Sequence, residues 1–398
     1  MKILEHIAQE IAVKTTEILG YPISITDKEG YIIGSTDRTR LGIFHQPSLE
    51  VLKNNGLVTC YAQEEPKILP GVSVPLMFSN KPIGVLGIVG DPAEVEKYVQ
   101  LVKNQVEMMC QEAFRKEVLE LESKMVEVFV QQIIHFENDA NTDHILQYAK
   151  TLGYDLDISR ACLLIDVDID MSSLNSSSNV SDRFSLPYFQ REALDFLSLI
   201  FRETKDDIVS FLNVERFIII KAFRSNEAHL AFLDKLKQKL EKLNKFLESK
   251  YTFSASIAVG DLKLGIRGIA ESYRNASKAM QVGKRGNPLP KIYLYDDWDI
   301  TLQLLPKELA PDLRRKLTSM IQPLIDQDNF DVLVSTFLGY CKHNMNVSET
   351  SRNLFIHRNT IIYRLERINE LTSLNSGNFE HCMLLYTAIR QYEETTHA

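Results

Sequence analysis

Asn346-Val-Ser-Glu-Thr-Ser-Arg-Asn-Leu-Phe-Ile-His-Arg-Asn-Thr-Ile-Ile-Tyr-Arg-Leu-Glu-Arg-Ile-Asn369 is the stretch on which the reading turns. Ser348 can cap a short helix ending near Leu354. Phe355-Ile356-His357 then makes a tight turn, and a second helix runs from Arg358 to about Asn369. Ser351 is small where two crossing helices need close approach, and Leu354, Ile356, Ile361 and Leu365 supply an inward apolar set. This is the helix-turn-helix pattern. The outward face carries Arg358, Asn359, Thr360, Tyr363, Arg364 and Arg367, with Arg352 and His357 just before it. Between Arg352 and Arg367 there are four Arg and a single acidic residue, Glu366. Arg takes guanine edges bidentately, Asn takes adenine, and Thr meets phosphate or a thymine methyl. The competing reading is an ordinary surface helix with charges four residues apart.

Outside this segment the chain is acidic. It has 398 residues and a formal net charge of −8. That argues against nonspecific nucleic-acid binding over the whole surface, and leaves room for a small basic module. A length of this order predicts several domains. Five scattered cysteines, none with Cys-x-x-Cys spacing, predict reduced thiols rather than a disulfide framework or a Cys-type zinc site. Glu5, Glu10 and Glu17 interrupt any apolar core at the N-terminus, so no signal peptide is predicted. No stretch reads as a membrane span, and a cytoplasmic protein is expected.

The order of elements divides the chain into three. Ile3, Leu4, Ile7, Ile11, Ile18 and Leu19 recur at helical spacing. Hairpins follow at 21–35, about the Asp27–Gly30 turn, and at 72–89, about Ser79–Pro82. This suits a small α+β sensor of PAS-like type. Asp91-Pro92-Ala93-Glu94 starts a long helix, with Asp91 capping and Glu94 completing a capping box. Its Leu119, Val126, Phe129, Ile133 and Phe136 form a partial three-four repeat. They can pair with a second copy or pack on their own domain. Strands at 161–167, 208–212, 216–222, 253–259 and 291–295 then alternate with helices at 187–204, 226–250 and 269–284, which indicates an α/β domain. A polar Ser/Asn loop is expected at 172–181. From Asp296 the sequence is helical, with breaks at Pro306, Pro311, Pro323 and Asn344–Asn346. The predicted fold class is multidomain α/β: a PAS-like sensor at 1–135, an α/β domain at 136–295 and an all-α helix-turn-helix domain at 296–398.

Arg40 and His45 follow the Gly34-Ser35-Thr36-Asp37 strand end, and Gly71, Ser73 and Pro75 mark a second edge. Arg can hold a carboxylate with paired charge-assisted bonds, His adds a switchable donor, and Gly lets backbone N–H groups approach an anion. Arg40 and His45 can equally be surface or structural residues. His135 and His144 lack ligand-spaced neighbours and read as structural. No P-loop or Gly-x-Ser-x-Gly is present.

The segment His357–Leu365 resembles the C-terminal helix-turn-helix of the PucR and carbohydrate-diacid-regulator transcription factors, whose hallmark is His-Arg-Asn-Thr-x-x-Tyr-Arg-Leu. Ile362 stands where that family often has Arg. Residues 1–135 look like the sugar-diacid recognition domain of the same regulators. The matching strings are Thr26-Asp-Lys-Glu-Gly-Tyr-Ile-Ile-Gly-Ser35, Arg40-Leu-Gly-Ile-Phe-His45, Pro70-Gly-Val-Ser-Val-Pro75 and Ile83-Gly-Val-Leu-Gly-Ile-Val-Gly-Asp-Pro92. Ser73-Val74-Pro75 replaces the usual Asn-Leu-Pro. The resemblance implies a small hydroxy-acid effector such as glucarate, galactarate or glycerate. Arg40 and His45 would meet its carboxylate, and Ser35, Ser73, Gly71, Pro75 and nearby backbone its hydroxyls or second carboxylate.

Residues 150–295 resemble a degenerate GGDEF domain, with Leu164-Ile-Asp-Val-Asp168 as its first strand. A cyclase needs paired carboxylates for two metals and a Gly-rich turn beside the phosphates. Here the turn reads Asn213-Val-Glu-Arg-Phe217. The expectation is therefore no catalysis, no metal and no cofactor. The protein is expected to be a homodimeric, ligand-responsive transcription regulator, an activator by family resemblance, that binds promoter DNA. The alternative is a cyclase or phosphodiesterase that uses the helix-turn-helix for targeting.

Overall fold

In the computed structural model, which describes residues 2–61, 69–137, 142–169, 185–286 and 291–396, two compact units appear, Met1–Met125 and Val126–Ala398. The first begins with helix α1 (Lys2–Leu19). Strands β1 (Ile23–Asp27) and β2 (Ile32–Ser35) follow, then helix α2 (Gln46–Asn54), and strands β3 (Val58–Cys60), β4 (Gly71–Phe78) and β5 (Lys81–Val89). The sheet order is β2-β1-β5-β4-β3, and every pairing is antiparallel. This is the expected PAS-like α+β arrangement.

Alternation along β4 sets its two faces. Val72, Val74 and Leu76 join Leu4, Ala8, Ile11, Ile25, Leu86 and Ile88 in the core. Gly71, Ser73 and Pro75 belong to the opposite face. The β4–β5 turn is tight because Ser79 and Asn80 both take left-handed conformations, φ 48° and 63°. A Cβ on Gly34 would stand 2.4 Å from the Ala8 carbonyl oxygen, so α1 lies directly on β2.

Helix α3 (Pro92–Ile134) is 43 residues long. Asp91 caps it, accepting from the Ala93 N–H at 3.0 Å. Glu94 accepts from the Tyr21 hydroxyl at 3.1 Å, and no capping-box bond of its carboxylate is found among the described residues. Val95, Val99, Val102 and Val106 enter the first core.

The second unit continues with α4 (Thr142–Leu152), β6 (Ser159–Asp168), α5 (Leu186–Phe201), β7 (Ile208–Phe211) and β8 (Arg216–Phe223). Helix α6 (Asn226–Tyr251), β9 (Ser254–Val259), α7 (Gly265–Gly286) and β10 (Ile292–Leu294) complete the sheet domain. The order is β10-β9-β6-β8-β7, with only β10–β9 parallel among the described pairs. Both faces are covered, so the strands are near-continuous apolar runs. Cys162, Leu164, Ile218 and Ile220 face a core with Phe129, Val130 and Ile133 of α3 and Ile269, Ala276 and Met280 of α7. Leu163, Ile165 and Ile219 face Phe189, Leu197, Leu236, Leu240 and Leu247. Of the three-four repeat, Phe129, Ile133 and Phe136 are buried in the core of the sheet domain rather than in that of the first unit, Val126 packs against the same core, and Leu119 is exposed. The expected Ser/Asn loop at 172–181 falls outside the described residues.

One charge cluster is locked inside this unit. Lys221 Nζ lies 2.7 Å from Asp207 Oδ2 and donates to the Phe201 carbonyl at 3.1 Å. Asp207 also accepts backbone N–H bonds from Glu203, Thr204 and Ala222. A buried pair is tolerated when its remaining bonding capacity is satisfied in this way.

The helical end comprises α8 (Trp298–Leu304), a short 3-10 turn at Leu305–Lys307, and α9 (Pro311–Ile325). These are followed by α10 (Phe330–Lys342), α11 (Val347–Leu354), α12 (Arg358–Thr372) and α13 (Phe379–Thr396). Pro306 and Pro311 fall at element starts as expected. Pro323 does not break α9 but lies in its last turn. The break before α11 is made by Asn344 and Met345, φ 52° and 60°. No described helix is long and apolar enough to cross a membrane.

Candidate functional site

The helix-turn-helix is assembled by α11 and α12. Asn346, not Ser348, caps α11: its side-chain oxygen accepts from the Ser348 and Glu349 N–H groups at 3.0 and 3.1 Å. One amide oxygen thus satisfies two of the donors that a helix start leaves open. Phe355 ends α11 in a left-handed conformation, φ 53°. The Ser351 hydroxyl donates to the Ile356 carbonyl at 2.7 Å and pins the turn. The Nδ1 of His357 accepts from the Asn359 N–H at 3.2 Å and caps α12. Ile361, Leu365 and Ile368 are buried against Leu317, Ile321, Leu333 and Phe337. A Cβ on Gly339 would stand 3.1 Å from a Leu354 methyl, so α10 passes close to α11.

Of the side chains assigned to the outer face, Arg352, His357, Arg358, Asn359 and Tyr363 are exposed, and Thr360, Arg364 and Arg367 are half-buried. Arg364 Nη1 donates to the Thr336 hydroxyl on α10 at 2.9 Å. Arg367 donates to Glu370 at 3.0 Å and to Gln327 at 3.3 Å. These two are therefore partly engaged within the protein. Phe355, which the sequence marks only as a turn residue, is 94% exposed between Arg352 and Arg358. The signal was a bulky residue at a turn position where Gly or Asn costs less.

In the first unit, Arg40 ends a 3-10 turn that Asp37 caps by accepting from the Thr39 N–H at 3.0 Å. His45 precedes α2, and its Nδ1 is 2.8 Å from the Ser48 hydroxyl. Arg40, His45, Gly71 and Ser73 line one cavity with Ser24 and Gly87. Strand register puts Ser24, Gly87 and Ser73 in one row. A Cβ on Gly87 would lie 3.0 Å from Ser24 Oγ and 3.4 Å from Ser73 Oγ, so the missing side chain leaves a niche between two hydroxyls. Ser35 pairs with Ser24 at the end of that row, but it is buried, its peptide is bonded to Gln9, and it does not line the cavity. Pro75 also lies outside it, further along β4 opposite Val85. Ser24 and Gly87 escaped the sequence reading because only the β1–β5–β4 pairing unites them.

Burial holds the His45 imidazole below its ordinary pKa, and the Arg40 charge adds to the shift. His45 is therefore neutral near pH 7. No carboxylate among the described residues forms an ion pair with Arg40.

The sheet domain has a third polar site where β6 ends. Arg216 grips Asp166 with both prongs, Nε to Oδ1 at 2.6 Å and Nη2 to Oδ2 at 2.8 Å. Lys284 lies 3.1 Å from Asp166 and 3.3 Å from Asp168, and Lys291 3.6 Å from Asp168. Burial pushes the Asp166 carboxyl up, but Arg216 and Lys284 together outweigh it and leave it below the usual carboxylate range. Asn213 shapes the neighbouring turn by accepting from the Glu215 and Arg216 N–H groups. A metal pair needs carboxylate oxygens turned to the metals. Here protein cations already hold them, and no set of three His, Cys, Asp or Glu suited to a metal occurs among the described residues. The residues present do not fit the metals of a cyclase.

Comparison with known proteins matches each part of the chain. The sequence profile for sugar diacid recognition covers residues 3–133, that of the GGDEF-like domain 137–282, and that of the PucR C-terminal helix-turn-helix domain 333–390. A carbohydrate diacid regulator of Escherichia coli is 30% identical over 391 residues, 97% of each chain. A purine catabolism regulatory protein of Bacillus subtilis is 29% identical over 154 residues, 38% of this chain and 28% of that one. A solved regulator of polyketide synthase expression from Bifidobacterium adolescentis is 14% identical, covering 68% of this chain and 93% of its own, with a TM-score of 0.30. The chain belongs to the carbohydrate diacid regulator family of transcription regulators.

Proposed function

We propose that this protein is a ligand-responsive transcription activator of sugar-diacid or glycerate utilisation genes, working in the cytoplasm as a homodimer. Residues 1–135 bind a small hydroxy-acid, 136–295 serve structure or assembly, and 296–398 bind promoter DNA. The observation that carries the ligand assignment is the meeting of Arg40 and neutral His45 with the Ser24–Gly87–Ser73 row in one cavity. A guanidinium that no described carboxylate pairs with suits a carboxylate, and two hydroxyls flanking a glycine suit a polyhydroxylated chain. The diacid regulator of E. coli, similar along the full length, supports the same ligand class. On the DNA side, Arg352, Arg358, Asn359 and Tyr363 reach bases and backbone, Thr360, Arg364 and Arg367 reach phosphates, and His357 organises the helix start. The Arg216 and Lys284 contacts to Asp166 speak against the cyclase alternative.

Calorimetric titration of the full chain with glucarate, galactarate and glycerate tests this. One member binds saturably, and Arg40→Ala abolishes the binding. A bound carboxylate raises the depressed His45 pKa, so binding takes up a proton. Affinity therefore rises as pH falls through the bound-state pKa and levels off below the free-state value; His45→Gln flattens the profile. Unchanged affinity in Arg40→Ala rejects the site.

A further inference from the structure

Helix α3 enters the first core through Val95, Val99, Val102, Val106 and Cys110, and the core of the sheet domain through Phe129, Val130, Ile133 and Ile134. Between those segments, from residue 111 to 125, no side chain is buried. The same stretch carries Phe114, Val118, Leu121 and Met125, and Val128 continues the spacing. Steps of four, three, four and three average the period of a coiled-coil seam. Phe114 is 43% exposed, with its ring in an edge contact with that of Phe78, centroids 5.2 Å apart, and Leu121 is 56%, Met125 36% and Val128 49% exposed. This strip is distinct from the repeat containing Phe129, Ile133 and Phe136, which the sheet domain consumes.

We infer that two copies of the chain associate through antiparallel pairing of α3 along Phe114, Val118, Leu121 and Met125. The inference rests on the homodimer reading and names its surface. The occupant follows from the charges beside the strip. Arg115, Glu117, Glu122 and Lys124 flank it, and all are exposed. In a parallel pair, Glu117 faces Glu122 of the second copy, and two-fold symmetry repeats the clash. In an antiparallel pair with Val118 opposite Leu121 of the second copy, Glu117 meets its Lys124 and Arg115 meets its Glu122. Symmetry again doubles each contact. Exposed ion pairs add little to stability. They discriminate between orientations because the alternative brings like charges together. The apolar strip supplies affinity, and the flanking charges choose the antiparallel register.

Sedimentation velocity of the full chain over a dilution series reads the dimer dissociation constant. Leu121→Glu places a charge in the seam at an exposed position, which spares the fold, and weakens association by roughly tenfold or more. Glu117→Lys weakens it severalfold, by setting Lys against Lys124, and adding Lys124→Glu restores it. A chain that stays monomeric at all concentrations overturns the homodimer reading together with the seam. A dimer indifferent to Leu121→Glu keeps that reading and removes this surface. A dimer that Glu117→Lys tightens overturns the antiparallel orientation, because that change relieves the clash in a parallel pair.

Discussion

Arg358 and Arg364 share a helix but not an environment. Arg358 sits exposed at the start of α12, where a recognition helix reaches base edges. Arg364 is half-buried and donates to Thr336, whose own hydroxyl donates to the Val332 carbonyl at 2.7 Å. Arg358→Ala is expected to lower operator affinity by about 1–3 kcal/mol with an unchanged melting temperature. Arg364→Ala is expected to lower affinity and to cost about 1 kcal/mol of stability, because Thr336 loses its donor. Fluorescence anisotropy on promoter DNA and calorimetric melting separate the two. An Arg364→Ala protein with wild-type melting would show that the tether contributes nothing. Residue types at helical spacing made the basic face readable, since α12 displays its own periodicity. The tether was not readable, because Thr336 comes from α10, and no pattern in α12 records what α10 brings to it. The Arg40–His45 cavity has the same division. Arg40, His45, Gly71 and Ser73 stand out by chemistry, whereas Ser24 and Gly87 matter only through strand register.

Element ends tell a related story. Both hairpins of the first sheet were legible, because alternation is local and Ser79-Asn80 suits left-handed turn geometry. At the start of α11 the sequence points to Ser348, whereas the structure puts the cap at Asn346. Ser348 and Asn346 are both good caps, and the choice depends on where the chain leaves α10 through the left-handed pair Asn344 and Met345. The side chain of Asn346 holds two N–H groups, so Asn346→Ala is expected to destabilise α11 by about 1 kcal/mol, and Ser348→Ala to be near neutral. Hydrogen exchange at the amides of residues 348 and 349 provides the check: it accelerates in the first variant and not in the second. Faster exchange in Ser348→Ala alone would return the cap to Ser348. For α3, periodicity found an apolar repeat but could not say what covers it. Phe129 and Ile133 are claimed by the sheet domain, a contact between segments far apart in sequence.

At the scale of the whole molecule, the cavity proposed for the effector lies in the first unit and the helix-turn-helix in the second. An effector bound in one unit controls DNA binding in the other only if it binds the DNA-competent and incompetent states with different affinity. That difference is a coupling free energy, and it acts in both directions. Suppose saturating effector multiplies operator affinity by some factor. The operator duplex must then multiply effector affinity by the same factor, and couplings of this kind span roughly 5- to 150-fold. Two titrations on the full chain measure it: anisotropy of labelled operator with and without the bound hydroxy-acid, and calorimetry of the hydroxy-acid with and without operator. Equal factors above one identify an activator whose ligand favours DNA binding, and equal factors below one a repressor-like response. Operator affinity that is indifferent to saturating effector would separate the two sites energetically. The helix-turn-helix would then remain a DNA-binding module, and the proposal that the first unit acts as its sensor would fall.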